Sequence, residues 1–187
     1  MLVCPENALT EKERTVGIIQ KGESGNVSLY SGFLNPGEPS GVPIIKKMIH
    51  DNNLKRASLT FIDCPPGSAC IVMESIKDAD YCVLVAEPTI FGAHNLNMVY
   101  ELVKLFGKPF GVILNKCLDG ENPSQKFCEE QDIEIIGRIY YDNELGTLNS
   151  NAKIAVRESE KYKTMFASLL QSVMREARHG TTVNPKR

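Results

Sequence analysis

From residue 59 onward the chain alternates short apolar runs with stretches of helical periodicity, and that alternation restricts the fold more than any other feature. The runs fall at residues 59–62, 81–86, 110–114 and 134–139, with helix patterns near 69–77, 93–106 and 123–131. Runs that do not alternate apolar with polar positions fit strands covered on both faces. A strand–helix–strand succession feeds a parallel sheet through right-handed crossovers. The expected class is α/β, a mostly parallel sheet flanked by helices. A last helix over 159–177 places Tyr162, Phe166, Leu169 and Val173 at three- and four-residue spacings, a stripe suited to packing on that sheet.

The beginning of the chain has a different rhythm. Residues 16–20 and 27–33 flank the turn-rich KGESGN, which predicts an N-terminal β-hairpin with a loop longer than the tightest type. Pro36, Gly37, Pro39, Gly41 and Pro43 then crowd a connection that excludes regular structure, because proline lacks a donor and glycine carries excess backbone entropy. A helix over 44–52 follows. The tail 179–187 is expected to be disordered.

At 187 residues the default is one domain with a substantial core. Twenty-one Lys and Arg against 23 Asp and Glu give a formal net charge of -2, so no sequence-wide attraction to nucleic acid or anionic lipid is expected. No apolar run approaches the roughly 20 residues that span a bilayer, and the first residues show no basic leader. A cytoplasmic protein without membrane or nucleic-acid partners is the expectation. The cysteines at 4, 64, 70, 82, 117 and 128 show no two-residue spacing of a zinc or redox motif. Cys82 and Cys117 sit in apolar stretches and read as small buried hydrophobes, and reduced thiols suit a cytosolic chain.

Two stretches carry chemistry. In LTFIDCPPGSAC, residues 59–70, an apolar run ends on Asp63 and enters a rigid turn closed by glycine. Ligands of open α/β sheets lie at the carboxyl ends of strands, where a carboxylate can hold hydrated Mg²⁺ beside phosphates. Pro65 and Pro66 stiffen the turn, and Gly67 lets a backbone amide approach a terminal phosphate oxygen. In FGVILNKCLDG, residues 110–120, Asn115 closes a second run and is followed by Lys116. A side-chain amide both donates and accepts, which suits a purine edge, and a lysine stem can cover a ring face. An asparagine that merely turns the chain at a strand end is the bland alternative.

Together with VLVAEPTIFGAHNL, residues 83–96, these stretches resemble the MinD/ParA group of P-loop ATPases, the CobQ/CobB/MinD/ParA nucleotide-binding domain. Members carrying an inserted ferredoxin domain are the most similar. In the resemblance DCPPG stands for the Walker B and switch II segment, with Asp63 holding Mg²⁺ through water and Pro66 and Gly67 in the switch, and Asn115 and Lys116 lie by the base. Cys4-Pro5 followed by Asn7-Ala8-Leu9 resembles the end of a ferredoxin cluster run, making Cys4 a remnant ligand whose companions are absent from this sequence. The implied organisation is a ferredoxin-insert tail at 1–15, a partial P-loop ATPase domain at 16–178 and the tail beyond it. The implied cofactors are ATP and Mg²⁺, with an iron–sulfur cluster only if upstream cysteines exist. The implied partners are a second copy or another chain, and an iron–sulfur or redox client.

The departure lies upstream. Such ATPases begin with a strand and a glycine-rich loop bearing lysine, which cradles the phosphates. KGESGN has the glycines but no following Lys-Ser or Lys-Thr. Without that loop, Asp63 and Gly67 are not expected to sustain hydrolysis, so no residue is assigned as catalytic in the isolated chain. A noncatalytic nucleotide- or protein-binding module on the same scaffold is the alternative function. In the resembled fold the missing strand lies mid-sheet, so its loss would leave two edges unpaired, and Tyr140 stands where the family often has proline.

Overall fold

The computed structural model describes residues 12–50 and 57–179, so Cys4 and, apart from 12–15 and His179, the expected terminal segments lie outside the described residues. The chain divides into two compact units, residues 1–64 and 65–187.

In the first unit, β1 (Gly17–Ser24) and β2 (Val27–Leu34) pair antiparallel from Gly17 opposite Leu34 to Ser24 opposite Val27. The connecting loop is only two residues, shorter than the sequence pattern predicts. Gly25 supplies the reason: it takes φ +58° at the first loop position, the left-handed backbone that tight hairpin turns require. Helix α1 (Val42–Ile49) packs on one face of this ribbon. A Cβ on Gly32 would stand 2.5 Å from Ile44 Cγ2 and 2.8 Å from Met48 Sδ, so the bare glycine is what admits the helix. The other face pairs Ile18 with Phe33, and both are half exposed.

Residues 59–62, expected as a strand, form none. Leu59, Phe61 and Ile62 are exposed, and no strand pairs with them among the described residues. The physical reason is that strand geometry is held by a neighbour's donors and acceptors, and apolar content alone does not supply them. Asp63 therefore follows an unpaired segment instead of ending a ladder.

The second unit holds a parallel sheet in the order β3–β4–β5, formed by β3 (Cys82–Ala86), β4 (Phe110–Cys117) and β5 (Ile135–Tyr140). Helices α2 (Cys70–Ile76), α3 (Ile90–Leu105) and α4 (Pro123–Glu130) precede or connect the strands. Then come α5 (Asn143–Ser150), α6 (Ala155–Glu158) and α7 (Glu160–His179). The central strand β4 is the most buried: Val112 and Leu114 are wholly inaccessible, and Tyr100 meets Phe110 and Phe127 edge-on at ring separations of 5.6 and 5.7 Å. Cys82, Cys117 and Cys128 are buried here, and burial raises the Cys128 thiol to about 11, which leaves it inert at neutral pH. On β3, Val83 and Val85 are exposed beside an edge that pairs with nothing among the described residues. No described helix is long and apolar enough to cross a membrane.

Helices α5 and α6 bury no residue, which explains why no apolar stripe announces them. Helix α5 starts instead at a polar cap. Asp142 accepts from the backbone amides of Glu144 and Leu145 at 2.9 and 3.2 Å and from Lys161 Nζ at 2.6 Å. The fully buried Tyr162 places its hydroxyl 3.1 Å from both Asp142 Oδ2 and Glu144 Oε2. The hydrogen bond from Lys161, helped by the Leu145 amide, holds the Asp142 carboxyl down at about 2, against an ordinary 3.8. A depressed carboxyl stabilises the fold above its unfolded value and loses that contribution as pH falls through the folded one. The denaturation midpoint is thus expected to drop between pH 4 and pH 2, and Asp142→Asn to flatten that limb. Urea melts across this range check it, and an equal drop in the variant rules the residue out.

Candidate nucleotide-base site

The carboxyl ends of β3 and β4 bring three polar side chains together. Ala86 pairs with Leu114 across the parallel ladder, so Glu87 and Asn115 are the next residues out on adjacent strands. Neighbouring strands run about 4.8 Å apart, which puts these two positions side by side. Lys116 then takes φ +54°, a left-handed backbone that interrupts the regular strand path where the β4–β5 register shifts between Leu114 and Cys117. Its ammonium donates to Glu87 Oε1 at 2.6 Å, and its backbone amide donates to Asn115 Oδ1 at 3.0 Å. The hydrogen bond it donates to Glu87 raises the Lys116 ammonium above its ordinary 10.5. Both side chains of the ion pair are about half exposed, so it is a positional device more than a source of stability.

The backbone beneath is more firmly held. Ser124, wholly buried near the start of α4, donates its hydroxyl to the Glu87 carbonyl at 2.6 Å. Thr89 caps α3 by accepting from the Gly92 amide at 2.8 Å. That cap starts α3 three residues earlier than its apolar periodicity predicts. Asn122 caps α4 in the same way, accepting from Gln125 N at 3.1 Å. At the end of β5, the Tyr141 amide donates to the Cys117 carbonyl at 2.9 Å, and Tyr140 and Tyr141 are both exposed.

Of the residues singled out from sequence, Asn115 and Lys116 come together at this edge. Glu87 and Ser124 were not anticipated. Glu87 carried the same signal as Asp63, an acid just past an apolar run, and Ser124 carried none because its role is a buried contact 37 residues away. Asp63 lies in the first unit, exposed and without a hydrogen-bond partner among the described residues. Pro66 and Gly67 lie in the second. Gly67 has φ +93° and nothing within 4 Å of where a Cβ would stand. An unengaged carboxylate is the kind of group that takes hydrated Mg²⁺, and a glycine without a side chain in the way is the kind of position a phosphate oxygen can approach. The described residues contain no cluster of three or more His, Cys, Asp or Glu suited to hold a metal ion.

No family model matches the chain. It is 26% identical over 108 residues to the uncharacterized protein MJ0579 of Methanocaldococcus jannaschii, covering 58% of this chain and 40% of that one. It is 29% identical over 154 residues to the uncharacterized protein MJ0578 of the same organism, covering 82% and 55%. The chain thus spans about half the length of the curated relatives it matches. Among solved structures, the MinD cell division protein of Aquifex aeolicus superposes with a TM-score of 0.56 at 17% identity, covering 78% of this chain and 64% of that one. The cell division ATPase MinD of Pyrococcus furiosus gives 0.57 at 22% identity, covering 74% and 59%. The hairpin, the parallel three-stranded sheet and its flanking helices are therefore those of a MinD-like α/β fold.

Proposed function

We propose that this chain carries the base-side portion of a MinD-like ATP-binding domain. The observation that supports it is the meeting of Asn115, Lys116 and Glu87 at the carboxyl ends of adjacent parallel strands, the place where open α/β sheets take their ligands. In this reading Asn115 reads the base edge, the Lys116 stem covers the ring, and Asp63 holds Mg²⁺ through water. Gly67 addresses the terminal phosphate. The organisation that goes with it is a partial ATPase domain over 16–178 preceded by a ferredoxin-insert tail. In a longer protein the nucleotide would be coupled to a partner or an iron–sulfur client, for which the Cys4-Pro5 resemblance is the support. The sequence contains no glycine-rich lysine loop, so the chain alone binds the base side weakly and does not turn ATP over.

The test is an amide-resolved NMR titration of the full chain with Mg-ATP, run beside a phosphate-release assay. Shifts centred on Asn115, Lys116 and Tyr141 without phosphate release are expected. Shifts elsewhere, or none at millimolar nucleotide, overturn the reading and favour a protein-binding module.

A further inference from the structure

The three side chains of the base site are engaged unequally, and this sets which base they accept. The Asn115 side-chain carbonyl is taken by the Lys116 backbone amide at 3.0 Å, leaving its NH₂ with no partner among the described residues. On Glu87, Oε1 is taken by the Lys116 ammonium at 2.6 Å, leaving Oε2 without a hydrogen-bond partner among the described residues. The edge therefore offers one donor and one acceptor on adjacent strands.

Adenine presents the complement along one edge, an acceptor at N7 and a donor at N6. Guanine presents two acceptors there, N7 and O6, and a carboxylate facing O6 is repelled. Guanine's other polar edge, N1–H with the 2-amino group, is a fork that needs both oxygens of a carboxylate, and Lys116 has already engaged one. We propose that Glu87 is the specificity-determining residue of this site, accepting from the exocyclic amine of adenine, and that Lys116 enforces the choice by occupying the second carboxylate oxygen. This rests on the base-site reading above.

The experiment is the same NMR titration with ATP and with GTP, on the wild-type chain, Glu87→Gln and Lys116→Met. The wild type is expected to bind ATP about tenfold or more tightly than GTP, the usual scale of discrimination by a paired polar edge. In Glu87→Gln the amide can accept from N6 or, turned over, donate to O6, so the two affinities are expected to converge to within about twofold. Lys116→Met frees Oε1 and is expected to raise GTP binding relative to ATP. A merely structural role for either residue lowers both affinities together and leaves the ratio unchanged. An unchanged ratio in both variants, or a wild-type preference for GTP, overturns the proposal while the base-site reading stands. Shifts with neither nucleotide overturn both.

Discussion

Leu114→Ala is expected to cost about 3–5 kcal/mol of stability, because the side chain is wholly buried on the central strand and the surrounding structure cannot collapse into the space. Neighbours on both sides hold the cavity open: β3 pairs with β4 through Ala86 opposite Leu114, and β5 through Arg138 opposite the same residue. A loss of this size amounts to a fall in melting temperature on the order of 10 °C or more for a unit of this size. Thermal unfolding followed by circular dichroism checks it. A loss below about 1 kcal/mol means the site repacks and β4 is not the rigid centre described above. The consequence reaches the proposed base site as well, since Asn115 is the next residue along the strand.

The second large effect separates two glycines that look alike in sequence. Gly92 and Gly146 both lie inside helices, where alanine normally gains about 0.5–1 kcal/mol over glycine. At Gly146 a Cβ meets nothing within 4 Å, and Gly146→Ala is expected to deliver that gain. At Gly92 a Cβ would overlap the Glu87 carbonyl oxygen, a backbone atom already bonded to Ser124 and to the Thr89 amide. The turn cannot yield without breaking those bonds, so Gly92→Ala is expected to destabilise by about 1–3 kcal/mol. Under the proposed nucleotide binding it should also weaken the shifts expected at Lys116, because its ion-pair partner Glu87 moves. Urea denaturation of both variants decides the point. Equal effects at the two positions contradict the close packing of the β3–α3 turn.

Gly92 illustrates how far reading the chain alone reaches at this site. The stretch EPTIFG is visible in the sequence, but only the folded turn shows that a glycine is required for steric reasons and not for backbone angle. Asn115 and Lys116 could be anticipated because an amide and a cation just past an apolar run are local signals. Glu87 and Ser124 act through partners 29 and 37 residues away, and no local pattern encodes such a pairing.

The division is the same for the fold. Sequence alone determined the α/β class, the three strands that pair in the second unit and the helices with an apolar stripe, because periodicity records which face each element must bury. It also determined the hairpin, though not its two-residue loop. Only the tertiary structure decided that residues 59–62 stay unpaired, that α5 forms on the Asp142 cap and α6 forms while neither buries a residue, and that Thr89 caps α3 so that it starts at Ile90. Apolar pattern is a property of a segment, whereas a strand's hydrogen bonds and a site's geometry belong to pairs of segments, and those pairs exist only once the chain has folded.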